Sequence, residues 1–387
     1  MCDMYNLRIA NQRRKNSCKG PTQKESMKAA AIALSLVVVL SIAGCGEQDV
    51  KEPSPELTTG KLGLWINPKH ADMKYYDEAL EIAREAQIQI AHLYVQWGLV
   101  EKSAEEYDWT IPDYILGKFK KYNFEAVVVI PIIFTTKLDV MPSDITFKSF
   151  SDPQFTERFV QFTETFIERY KDTVHYLIIG NEIDVYLYQH PDCASDFGRL
   201  VQAVADAHSV TVGTEFAIHS VVQYNCQHIA RKALAGDMVF FTFYPMGGNF
   251  SFGGNPHTVD SFFDAMFDLA GDKKIAVVET SWSSSPSLES SEEKQAVYVE
   301  NLFRILKEHK SRIEFLMWIN LHDSTSQECR KAAEFFITGV DDEFLKNTEG
   351  MARFSEFMCF LGLQKSDGTP KLAWYTWMEQ VKAYYTS

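Results

Sequence analysis

Eight short apolar runs, each followed by a longer amphipathic stretch, predict a single closed (β/α)8 barrel over residues 61–387 of this 387-residue chain. No short-period repeat, low-complexity tract or second composition regime interrupts that span, so one domain is expected. A doubly wound open sheet, the competing architecture, would carry a phosphate-binding glycine fingerprint after its first strand, and GLWINP at 63–68 is not one.

In chain order, residues 1–26 are polar and basic and read as an upstream extension, with Met27 the natural start, or else as an unusually long n-region. The uncharged run AAAIALSLVVVLSIAG at 29–44 follows Lys28 and is only 16 residues long. That is short for a membrane span, which needs about 20, and has the layout of a signal peptide. It ends in S-I-A-G-C, with small residues directly before Cys45. This string resembles the lipobox of bacterial lipoproteins. The resemblance implies that Cys45 is lipidated and heads the mature chain. It also implies a place in the bacterial cell envelope, facing periplasm or exterior, with the lipid as the only membrane contact. The stretch that follows, GEQDVKEPSPELTTG at 46–60, is acidic, contains prolines and has no periodicity. A flexible linker over 45–60 is therefore expected, and the folded domain begins near Lys61.

The expected strands are 62–66, 88–95, 126–133, 174–180, 210–216, 238–243, 275–279 and 315–320. Between them, amphipathic periodicity predicts helices over 75–86, 153–170, 197–208, 259–269 and 291–309, long enough to cross from one parallel strand to the next. The longest insertion is expected at 323–346, after the eighth strand.

Charge narrows the partners. The first 44 residues hold seven Lys/Arg and two Asp/Glu, which leaves 31 basic against 50 acidic residues and a net charge of -19 for the rest. Such a surface repels nucleic acid and anionic lipid and suits neutral or cationic partners. The 13% aromatic content agrees with stacking on sugar faces as well as with an ordinary core. Cys193, Cys226, Cys329 and Cys359 are scattered without metal-ligand spacing and are expected to be unpaired thiols, one or two disulfides being the alternative. No H-E-x-x-H, P-loop or EF-hand pattern occurs, so neither metal nor cofactor is expected, and the chain is expected to act as a monomer.

In a barrel, residues at the C-terminal strand ends converge on one mouth. The fourth run, YLIIGNEI, ends in Asn181 and Glu182, and the seventh, KIAVVETSW, ends in Glu279. Strands four and seven face each other across the interior. Two carboxyl groups about 5 Å apart there would divide the roles of proton donor and nucleophile in a retaining glycosidase.

The N-E ending on strand four with a Glu ending strand seven resembles clan A of the glycoside hydrolases. The strings GNEI, FYP and VVET look most like the family 53 galactanases and less like the family 17 glucanases. The resemblance implies Glu182 as acid/base and Glu279 as nucleophile. It further implies that Asn181 binds the sugar 2-hydroxyl, that Tyr244 hydrogen-bonds the nucleophile, and that Trp318 floors the subsite of the cleaved sugar. The tail GLQKSDGTPKLAW at 362–374 is similar to clan endings as well. His92, in HLYVQW, stands where the clan commonly has Arg, so a titratable or neutral partner replaces a permanent cation.

Trp97 and Trp282, just past strand ends, are candidates for sugar stacking or for rim packing. Glu215, in VGTEF, is expected in a structural ion pair or at substrate, and Asp184 and Asp323 as loop caps. The expected activity is retaining hydrolysis of β-glycosidic bonds in an oligo- or polysaccharide. An inactive glycan-binding surface lipoprotein and a transglycosylase using the same residues are the alternatives.

Overall fold

The computed structural model describes residues 59–337 and 347–386. Cys45, the leader and all but the last two residues of the linker lie outside the described residues, as does part of the expected insertion. Eight parallel strands form the barrel: β1 (Lys61–Leu64), β2 (Ile90–Tyr94), β3 (Glu125–Phe134), β4 (Val174–Asn181), β5 (Thr211–Ala217), β6 (Met238–Phe243), β7 (Ile275–Thr280) and β8 (Ile313–Trp318). Each pairs with its sequence neighbours, and β1 pairs with β8 through Lys61 opposite Phe315 and Leu64 opposite Trp318, which closes the ring. All eight coincide with the apolar runs of the sequence.

Crossover helices surround the ring: α1 (Tyr76–Glu85), α2 (Thr110–Lys121), α3 (Pro153–Tyr170), α4 (Ala194–Ala207), α5 (Gln227–Ala233), α6 (Asp260–Ala270) and α7 (Glu292–Glu308). The C-terminal α8 (Leu372–Thr386) packs beside α7. Local sequence sets the helix starts. Asp152 caps α3 by accepting from the Gln154 N–H, with Pro153 in the first turn, and Ser291 caps α7 by accepting from the Lys294 N–H.

Strand alternation sorts the apolar side chains into two cores. Ile90, Val127, Val129, Ile178, Phe240, Val278, Phe315 and Met317 fill the barrel interior, while Val128, Leu177, Phe241, Val277 and Leu316 pack outward under the helices. The interior is thus a solid plug that raises the mouth residues onto a rigid platform.

After β8, helices Ser326–Ile337 and Thr348–Cys359 pack together, and a Cys329–Cys359 disulfide with Cα atoms 5.5 Å apart joins them. This corrects the expectation of unpaired thiols at those two positions: folding brings together residues 30 apart in sequence. The C-terminal tail is held by an interior ion pair. Lys371 Nζ lies 2.8 Å from Asp323 Oδ1 and 3.0 Å from Ser284 Oγ, while Asp323 also accepts the Gly362 N–H. Asp323 is therefore a loop cap, as expected, with a cation added.

Candidate active site

The end of β4 is bent by two left-handed residues. Gly180 has φ 84°, and a side chain there would meet Ile183 Cγ2 at 2.4 Å, so glycine is required. Glu182 has φ 46°, a conformation costly for a residue with a β-carbon. Between them the chain swings Asn181 and Glu182 to the mouth. Glu182 Oε1 accepts from Thr242 Oγ1 at 2.8 Å, and its Oε2 accepts from Thr135 Oγ1 at 3.1 Å.

On β7 a register shift between Val277 and Glu279 against β6 re-aims the strand, so that Val278 fills the interior and Glu279 still faces the mouth. Glu279 is 8% exposed. Its Oε2 accepts from Tyr244 OH at 2.7 Å and its Oε1 from Tyr94 OH at 3.0 Å. The Tyr94 hydroxyl also contacts Asn181 Oδ1, so a single phenolic proton is shared between the amide and the carboxylate. A continuous polar chain, Asn181–Tyr94–Glu279–Tyr244, thereby ties the ends of β4, β2, β7 and β6.

Electrostatics set the proton inventory. Burial, then the nearby Glu182 charge, push the Glu279 carboxyl up to about 7, against the pull of the two tyrosine hydrogen bonds. Burial also raises Glu182, opposed by the threonine hydroxyls. Like charges this close favour a state in which the pair holds one proton. Two phenols donate to Glu279 and two aliphatic hydroxyls donate to Glu182.

Below them lies Glu215, directed inward from β5 and without solvent exposure; neither carboxyl oxygen finds a hydrogen-bond partner of good geometry. Burial first, then the Glu279 and Glu182 charges, hold it well above the ordinary carboxylate range. Among the described residues no cation pairs with it, which corrects the expected ion pair, and its burial favours the protonated carboxyl. Asp184 Oδ1 accepts the Ala217 N–H at 2.7 Å, the loop-cap role expected of it.

His92 faces the same interior. Its ring stacks on Trp65 at 3.9 Å and meets Tyr94 edge-on at 4.7 Å; Nε2 is unpartnered and burial drives its pKa well down. It is a neutral aromatic spacer that bears on Glu279 through Tyr94.

Three tryptophans do not belong to the mouth. Trp318 has no exposure; its register turns it outward, where Nε1 donates to the Leu361 carbonyl and the ring packs against Tyr298 and Trp377. It cannot floor a sugar subsite. Trp97 packs on Phe155, Phe159 and Phe162 and donates to Glu101. Trp282 donates to Ser290 Oγ and is wedged between Phe252 and Tyr298. Both are core residues, so the sugar-stacking reading of each is withdrawn.

Four residues at the site had not been singled out: Tyr94, Trp65, Thr135 and Thr242. Tyr94 shares the parity of His92 on β2, and Thr242 that of Tyr244 at the end of β6, so strand alternation alone points to them.

No family model matches the chain, and no curated protein matches it. Several solved structures share its fold at low identity. A GH5_18 protein from Bifidobacterium longum subsp. infantis aligns with TM-score 0.62 and 12% identity, covering 85% of this chain and 80% of its own. An exo-β-1,4-mannosidase from Opitutaceae bacterium strain TAV5 gives 0.61 and 14%, with 85% of this chain covered, but the match spans only 60% of the mannosidase. Xylanase 10B from Thermotoga maritima gives 0.53 and 12%, covering 84% and 95%. The (β/α)8 barrel is what these likenesses establish.

Proposed function

We propose that the protein is a retaining β-glycosidase in which Glu182 is the acid/base and Glu279 the nucleophile. The observation that carries this reading is the Asn181–Tyr94–Glu279–Tyr244 chain beside Glu182: two carboxyl groups at the ends of β4 and β7, one held by phenols and one by threonine hydroxyls. The fold shared with an exo-β-1,4-mannosidase and a xylanase agrees with it. Glu279 attacks the anomeric carbon as Glu182 gives its proton to the departing oxygen. Glu182, now anionic, takes a proton from water, whose oxygen displaces Glu279 and restores both groups. The hydrogen bond from Tyr244 steadies the carboxylate before attack and after release.

Chemical rescue tests the assignment. With an activated aryl β-glycoside, azide added to Glu182→Ala should restore turnover and give a product of retained configuration. Added to Glu279→Ala, it should give the inverted product. Exchanged outcomes would swap the roles, and net inversion by the parent protein would eliminate double displacement.

A further inference from the structure

The side of the mouth next to Glu182 is built from phenylalanine. Phe134 ends β3, and the residue after it, Thr135, donates its hydroxyl to Glu182 and its N–H to the Asn181 carbonyl at 2.9 Å. Phe134 thus stands beside the proposed proton donor. Its half-buried ring stacks on Phe336 with centroids 5.6 Å apart and planes 22° from parallel, and meets Phe335 edge-on at 6.2 Å. Phe335 and Phe336 come from helix Ser326–Ile337, which the Cys329–Cys359 disulfide fixes to the second helix of the insertion. Phe354 of that second helix extends the wall, 6.3 Å from Phe336.

A proton donor must reach the glycosidic oxygen, so the group that departs has to lie along the edge where Glu182 is held. A second sugar there would bring several hydroxyl groups, each needing a donor or acceptor once water is displaced. The phenylalanine rings offer none, although Lys137 Nζ lies 4.5 Å from the Phe335 centroid at the edge of this wall, and the rings match an apolar ring in both shape and polarity.

Resting on the glycosidase reading above, we propose that the leaving-group subsite takes an apolar, ring-bearing aglycone rather than another sugar. Phe134, Phe335 and Phe336 are its specificity determinants. The insertion after β8 supplies most of this surface, so the preference is a property of the insertion and not of the barrel.

The test compares cyclohexylmethyl with methyl β-glycosides over β-glucoside, β-galactoside, β-mannoside and β-xyloside series, with the matching β-1,4-disaccharides alongside. The two alkyl leaving alcohols have similar basicity, so a difference reports on binding. The cyclohexylmethyl compound is expected to show at least tenfold higher kcat/KM than its methyl partner and to exceed the disaccharide. Phe336→Ala should reduce that ratio to near unity while a glycosyl fluoride of the same sugar, which needs no acid assistance and carries no ring, is still turned over. Retained Tm and disulfide confirm that the variant is folded. Equal kcat/KM across the alkyl pair, or preference for the disaccharide, overturns the proposal and leaves the glycosidase reading standing. A Phe336→Ala protein faster on all substrates alike would also overturn it, since the rings would then be an obstruction. If no glycoside is cleaved, glycosyl fluorides included, the hydrolase reading falls and takes this one with it.

Discussion

Glu279 takes its hydrogen bonds from phenols on two different strand ends, and each donor favours the ionised carboxylate that attack requires. Removing one should therefore act on both rate and pH. In Tyr244→Phe, loss of a charge-assisted bond worth about 1.5–3 kcal/mol is expected to lower kcat/KM by roughly 10- to 100-fold. The lost donor was lowering the Glu279 pKa, so the acid limb of the pH–rate profile should move to higher pH. A profile unmoved on its acid side would show that Tyr244 does not act through Glu279. At this scale the sequence is legible where a polar residue ends an apolar run, which is how Asn181, Glu182 and Glu279 are found, whereas Tyr244 comes from the family resemblance. It is misleading for tryptophan, which suits both faces of a strand. Met317 faces inward and Trp318 outward, and only the register of β8 decides between them.

Among the elements, the loop after β8 and the C-terminal tail depend on one buried pair. Lys371 is 1% and Asp323 7% exposed, and burial raises the Asp323 carboxyl to about 6 while lowering the Lys371 pKa. Stripping one partner leaves the other charge buried, so Lys371→Met is expected to cost about 3–5 kcal/mol in urea unfolding. The double variant Lys371→Met, Asp323→Leu should recover much of that loss, since an apolar replacement of the whole pair is close to neutral. Failure of the double variant to recover would mean that the Gly362 N–H, left without Asp323, matters more than the cation. The strands were readable because β-branched and aromatic residues cluster in short runs. The paired helices of the insertion were not, because their aromatic residues pack on each other and on the barrel mouth, and a disulfide between positions 30 apart has no local signature.

Over the whole molecule, the interior stores carboxyl groups that resist ionisation. Burial is the first cause of the upward shifts of Glu182, Asp184, Glu215 and Glu279, and of Asp139, which is raised to about 7. In the unfolded chain these groups ionise near their ordinary values of 3.8 and 4.5. The folded state therefore binds more protons from about pH 4 up to about pH 7 through Asp139 and Glu279, and on to higher pH through Asp184 and Glu215. The stability these groups contribute is fully present below that window and is lost as pH rises through it. Exposed aspartates such as Asp113 shift the opposite way but are screened by solvent and offset little. Melting followed by circular dichroism should give a Tm several degrees higher at pH 5 than at pH 8, and the reverse order would mean that the interior acids are ionised and paired. Barrel closure was foreseeable from the count of eight runs. The concentration of acids inside it was only half foreseeable, because Glu215 sits mid-strand with nothing in its neighbours to show that it lacks a cation.

The final turn of α8 returns to the start of the barrel, where the Tyr384 hydroxyl donates to the Gly60 carbonyl at 2.9 Å and Tyr385 reaches the Gln87 carbonyl. Gly60 and Gln87 precede β1 and β2, so both described chain ends meet at the pole opposite Glu182 and Glu279. Immobilisation through the C-terminal end would therefore display the mouth with Glu182 and Glu279 outward. A bead, a fusion partner or an electrode surface attached there would leave the approach of dissolved molecules unobstructed.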